Sequence, residues 1–309
     1  MVSWKISRRK ALMRRLLIFT MLLCVFLIAC GFSLGILISN TKKSVVVEDD
    51  SSQVEETVGV PPEVIEPLPY KIDFQPVIDE WVSATSGNKS VLIYDLERDE
   101  VVGEYGRNDS YNTASLYKLF VVYEGYRRVD KGEWDANAIA GTTGKTILEC
   151  LDLSIRESYS PCAETLWKMI GQDNLDTIIK DDFGINNSDI SHLISNPEDI
   201  SKMMQLFYSH SDIKDESLIS RMKDSFLNQP STTYNWRQGL PSGFTKANVF
   251  NKVGWDYNPD KRYWNIYHDA AIVEFPESNR HFVVVVMTNY VPFAKIKQLG
   301  TMIENKFYN

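Results

Sequence analysis

The chain has 309 residues, 44% of them hydrophobic and 24% charged, with a formal net charge of −8. That balance is ordinary for a globular protein. Residues 1–43 hold Lys5, Arg8, Arg9, Lys10, Arg14, Arg15, Lys42 and Lys43 and no acid, so residues 44–309 carry −16; a surface of that sign excludes nucleic acid as a partner.

In chain order, residues 1–15 form a basic segment and residues 16–38 read LLIFTMLLCVFLIACGFSLGILI, uncharged and long enough to cross a bilayer as a helix. Basic residues ahead of an apolar span predict a cytoplasmic N-terminus, so 16–39 reads as a single-pass membrane anchor with the rest of the chain outside the cytoplasm. A competing reading is lipidation: Leu27-Ile28-Ala29-Cys30 resembles a lipoprotein cleavage box with Cys30 as the modified residue. The apolar run continues past Cys30 to Ile38, which favours the uncleaved anchor. One span argues against a channel or transporter. Residues 40–71 are dominated by acids, Ser and Pro and read as a disordered tether.

The folded domain is expected over 72–309. Phe74, Val77, Ile78 and Trp81 recur at helical spacing. Strands are expected at 91–96 and 101–105, joined by a turn. Helices follow at 115–131, 161–170, 174–180, 197–209 and 216–227. Strands resume at 248–255, 270–275 and 281–289, and an amphipathic helix at 293–307 closes the chain. Two early strands, three late ones and helices between predict an α+β fold. Its centre is one five-stranded antiparallel sheet flanked by the terminal helices, with an all-helical insertion. A cleft is expected where sheet and insertion meet. No internal repeat is visible.

Cys150 and Cys162 lie twelve apart in the outer domain, where oxidation is permitted. They read as a disulfide beside Ser158 or as two buried thiols; compartment favours the disulfide. The four histidines show no metal-ligand spacing, so neither a metal nor another cofactor is expected. No G-x-S-x-G occurs, which argues against an α/β-hydrolase triad.

Three short motifs carry the chemistry: Ser115-Leu116-Tyr117-Lys118, Ser158-Tyr159-Ser160 and Lys252-Val253-Gly254. S-x-x-K alone means little, because it also begins at Ser7, Ser39, Ser86, Ser211 and Ser220. Context separates the first motif. Ser115 falls where the loop Asn112-Thr113-Ala114 meets an apolar helix, which places Lys118 one turn above it. A serine needs a base within hydrogen-bond reach. A lysine serves as one only when burial or a nearby cation lowers its pKa. Leu116, Leu119, Phe120 and Val121 offer burial, and Lys252 is expected to depress Lys118 further.

These motifs, in this order, resemble those of the penicillin-recognising serine enzymes, particularly the class A β-lactamase-like family. The likeness extends to TASLYKLFVVYEGY, SIRESYSPCAETLW, Ser195-Asn196-Pro197-Glu198-Asp199-Ile200, and Arg237-Gln238-Gly239-Leu240-Pro241 followed by NVFNKVGW, over roughly 73–307. The resemblance implies Ser115 as acylated nucleophile, Lys118 as its base, Ser158 as proton relay and Lys252 as the residue that positions Ser158 and attracts substrate. It implies an oxyanion site at the backbone N–H groups of Ser115 and Trp255, with Ser160 and Gly254 lining the substrate. The implied substrate is a β-lactam or a peptidoglycan stem-peptide amide. Three departures stand out. The family's second motif ends in Asn, where this chain has Ser160. Its third has Thr or Ser, where this chain has Val253. No Glu-x-x-Asn occurs between Asp182 and Pro197, and Asp189 is the nearest acid. The chain thus reads as equipped to form an acyl-enzyme and poorly equipped to hydrolyse it. The reading from a different class is a non-catalytic cell-wall or protein binding module on the same scaffold.

Overall fold

A computed structural model describes residues 70–229, 236–257 and 265–309. The expected basic segment, the anchor 16–39, the alternative lipidation at Cys30 and the tether up to residue 69 lie outside the described residues. Among the described residues no helix is long and apolar enough to cross a membrane. Tyr70 and Lys71, the end of the expected tether, are held to the domain. Arg280 Nη1 donates to Tyr70 O at 2.9 Å, and Lys71 Nζ pairs with Glu100 at 3.0 Å.

Helix α1 (Gln75–Ser83) buries Val77, Ile78 and Trp81; Pro76 suits its first turn, where a missing N–H costs nothing. Strands β1 (Asn88–Asp95) and β2 (Glu100–Tyr105) form a hairpin. Three strands come late in the chain: β5 (Asn248–Tyr257), β6 (Asn265–Phe275) and β7 (Arg280–Asn289). All pairings are antiparallel, and the order is β2-β1-β7-β6-β5. The early hairpin therefore docks on the last strand, and β5 is left at an edge. β7 reads HFVVVVM without alternation because both of its faces are covered.

Residue parity along the strands sends side chains to two cores. Phe282, Val284 and Val286 pack with α1 and the closing helix α8 (Phe293–Tyr308). Val283, Val285 and Met287 pack with the helical segment between β2 and β5. The result is three layers, helix–sheet–helix. The helical segment holds β3 (Tyr111–Asn112), a 3-10 turn at Ala114–Leu116, α2 (Tyr117–Asp130), α3 (Ile147–Arg156) and α4 (Ser160–Ile170). It continues with α5 (Gln172–Asp181), β4 (Ile194–Ser195), α6 (Pro197–Ser209) and α7 (Glu216–Leu227).

Several details differ from the sequence expectation; strand β6, expected from residue 270, begins at Asn265. The helix expected from residue 115 begins at Tyr117, and Ser115 lies in the tighter 3-10 turn before it. Helix α3 was not anticipated, although Thr146 and Glu149 form a capping box at its start. The two-residue ladder β3–β4 was also missed, since so short a pair has no pattern of its own.

Candidate active site

Ser115 is placed by three local devices. His268 packs edge-on against Tyr111 of β3, and its Nε2–H donates to Asn112 O at 2.8 Å while its Nδ1 accepts the Thr288 N–H at 2.9 Å. Those two partners fix the neutral tautomer, and burial lowers the ring's pKa to about 4. Next, Asn112 Oδ1 accepts the Ala114 N–H at 2.9 Å, and Ala114 takes the left-handed region with φ 42°. Finally, Gly254 of β5 lies so close that a Cβ there would meet Thr113 O at 2.7 Å. The edge strand thus presses directly on the serine's turn.

Ser158 arrives from the other side. It follows α3 and turns the chain into α4 with φ 54°, a conformation that glycine fills most easily. A glycine would carry no hydroxyl, so the strain is borne by the residue that supplies one. A disulfide between Cys150 and Cys162, with Cα atoms 4.8 Å apart, joins α3 to α4 across this turn.

Lys118 and Lys252 converge on Ser158. Lys118 Nζ lies 3.2 Å from Ser115 Oγ, 2.5 Å from Ser158 O, 3.2 Å from Ser158 Oγ and 3.0 Å from Ser160 Oγ. Lys252 Nζ lies 2.9 Å from Ser158 Oγ and donates to Val253 O at 2.8 Å. Both lysines are buried, at 0% and 1% exposure. Burial lowers the Lys118 pKa to about 8. For Lys252, burial and then the Lys118 charge depress it well below the ordinary lysine value. The two amines share one buried site, so each charge disfavours the other.

Four acceptors surround Lys118 Nζ, and an ammonium has only three hydrogens. A neutral amine has two N–H donors and a lone pair. With its donors on Ser158 O and Ser160 Oγ, the lone pair is left for a hydroxyl proton from Ser115 or Ser158.

Behind Lys252 sits Asp269, fully buried, accepting from Leu240 N–H at 2.8 Å and Asn251 Nδ2 at 2.9 Å. Burial raises its pKa to about 7 against the opposing pull of those donors and of Arg237 and Lys252. Sequence reading missed Asp269 and His268. They stand opposite Val253 and Gly254 in the β5–β6 register, which no local pattern announces.

The remaining expected site residues are placed as follows. Ser160 is exposed at the start of α4 and accepts from Lys118. Trp255 is half-buried, with its ring 5.9 Å from that of Trp236. Val253 turns into the core beneath the terminal helices, so its missing hydroxyl leaves no gap beside Lys252. Asp189 is engaged elsewhere: it caps the turn Ile190–His192 and pairs with His192 Nδ1 at 2.9 Å. Among the described residues no cluster of ligating side chains could hold a metal ion.

A family model for the beta-lactamase enzyme family matches residues 73–307, most of the chain. The chain belongs to that family. Solved structures agree at the level of fold. An ancestral class A β-lactamase (GNCA) superposes with a TM-score of 0.65 at 14% identity, covering 75% of this chain and 99% of its own. The extended-spectrum β-lactamase TLA-1 gives 0.66 at 12% identity, covering 76% and 98%. PBP-A gives 0.64 at 17% identity, covering 78% and 99%. No curated protein sequence matches at a significant level. As a β-lactamase-family scaffold, the domain carries its three motifs at the junction of the sheet edge and the helical segment.

Proposed function

We propose that this protein is a serine acyl enzyme, with Ser115 as the nucleophile toward a β-lactam or a peptidoglycan stem-peptide amide. The observation that carries the reading is the pair of buried amines meeting at the Ser158 hydroxyl, one of them also within reach of Ser115. Two buried lysines are costly to a fold, and nothing in the apolar core requires them. A binding module has no use for such an arrangement.

The step balances as follows. Neutral Lys118 takes the Ser115 hydroxyl proton while Oγ attacks the carbonyl carbon. The C–N bond then breaks as Ser158 delivers its proton to the departing nitrogen, and Ser158 is reprotonated from Lys118. Lys252 donates to Ser158 Oγ and holds it between the two partners. Negative charge on the carbonyl oxygen is met by the backbone N–H groups of Ser115 and Trp255. The position of β5 supports that role, because an edge strand directs alternate N–H groups away from its neighbour. Hydrolysis of the acyl-enzyme is slow in this proposal, since Asp189 is committed to His192. The apolar run at 16–39 supports a membrane-anchored enzyme with its domain outside the cytoplasm.

Intact-mass spectrometry of the protein incubated with a penicillin, beside Ser115→Ala, tests the reading. A persistent adduct present only with Ser115 is the expected result. An unmodified protein with the penicillin intact would favour the binding-module reading, and rapid turnover without an adduct would refute slow deacylation.

A further inference from the structure

A cavity of about 100 Å³ lies between α6, α7 and strands β5–β7, and none of its lining residues belongs to the amine–hydroxyl cluster. Its body is apolar: Phe207, Met222, Phe226, Phe250 and Ile272. An apolar protein cavity of about 150 Å³ holds a benzene ring. This one opens at its rim, so its size suits a single six-membered ring.

The rim is polar and already organised. Glu97 grips His281 twice, accepting its backbone N–H at 2.9 Å and lying 2.7 Å from its Nδ1. A carboxylate only accepts, so Nδ1 carries a hydrogen toward Glu97. Glu274 Oε1 lies 3.9 Å from His281 Nε2, and Glu274 and His281 both line the cavity. A carboxylate, Glu274, therefore stands at the mouth of a ring-sized apolar recess. Tyr208 adds an aromatic edge, with its ring 5.0 Å from that of His281. Lys223 shares the rim but is exposed on α7, where a long stem lets its ammonium turn to water.

We infer that this recess is a binding site for a small primary arylalkylamine, one aromatic ring with an ammonium head. The ring fills the apolar body. The head donates to Glu274, whose carboxylate balances its charge. Phe250 shares a face of β5 with Lys252, two residues away, so a bound ring touches the strand that carries the second amine of the active site.

The test uses full-length protein in lipid nanodiscs with ¹³C-labelled methionine methyl groups, the Met222 signal being assigned by its loss in Met222→Leu. Benzylamine is titrated in, and toluene in a parallel series. The expected result is a saturable shift of the Met222 methyl signal with benzylamine, weakened at least about tenfold in Glu274→Gln and for toluene. The Gln carbonyl can still accept from Asn248 Nδ2, which Glu274 binds at 3.2 Å, so that variant retains its structural contact. A Met222 signal unmoved by benzylamine overturns the inference. So does benzylamine binding no tighter than toluene, because the rim would then recognise nothing. The readout does not depend on Ser115 and stands apart from the acyl-enzyme proposal.

Discussion

The two faces of the sheet are built differently. Toward the terminal helices the core is apolar around the buried Asp269–Asn251 pair, with Phe74, Phe275, Phe282 and Phe307 in edge and stacked contact. Toward the helical segment the core is equally dry but holds Lys118 within it, and Lys252 points the same way from β5. One face supplies stability, and the other uses it to keep two amines out of water. The contrast shows how a lysine becomes a base: the surroundings are made so apolar that its proton is expensive to keep.

The sharpest way to break that contrast is to remove the amine from the second face. Lys118→Met is expected to slow penicillin labelling of Ser115 by about 10²- to 10⁴-fold, as loss of a general base does. In the unsubstituted protein the labelling rate should rise as pH increases through about 8, where the amine becomes neutral. Between about 8 and the ordinary value of 10.5 the folded chain binds fewer protons at Lys118 than the unfolded chain. Stability should therefore rise with pH across that window, and Lys118→Met should remove this part of the rise in urea melts at stepped pH. A flat wild-type labelling profile across pH 8 would contradict Lys118 as the base.

On the first face, Phe282→Ala should cost roughly 3–5 kcal/mol of stability by urea denaturation. The labelling rate of the folded fraction should stay unchanged. A large drop in that rate would mean the two faces are not independent.

Gly254→Ala tests the seam between them. Its Cβ would meet Thr113 O at 2.7 Å, and a backbone carbonyl cannot swing aside. Displacing the serine's turn by a fraction of an ångström should slow labelling by about 10- to 100-fold, measured as a rate under excess penicillin. The smallest effect is expected from Thr146→Ala, which removes the capping box of α3 and should cost about 1 kcal/mol in thermal or urea melts.

Much of this was legible along the chain. Strands with apolar runs, helices with caps and amphipathic spacing, and the S-x-x-K, S-x-S and K-V-G segments are local signals, readable within a few residues of themselves. Helix α3 is also readable, from the Thr146–Glu149 capping box and from Ile147, Cys150, Leu151 and Ile155 on one buried side. Asp269 and His268 were not readable. Each acquires its role from a partner on another strand or loop, and the β5–β6 register that brings them to Val253 and Gly254 is a property of the assembled sheet.

By itself the sequence determined the order of elements, the sheet's strands, the apolar N-terminal run and the residues able to do acyl chemistry, because these depend on residue type and short-range spacing. Only the tertiary structure decided which groups meet at Ser158, that Val253 faces the opposite core, and that both lysines are closed off from water. Those outcomes depend on burial and on distances between residues far apart in the chain, and desolvation exists only once the surrounding atoms have closed over the charge.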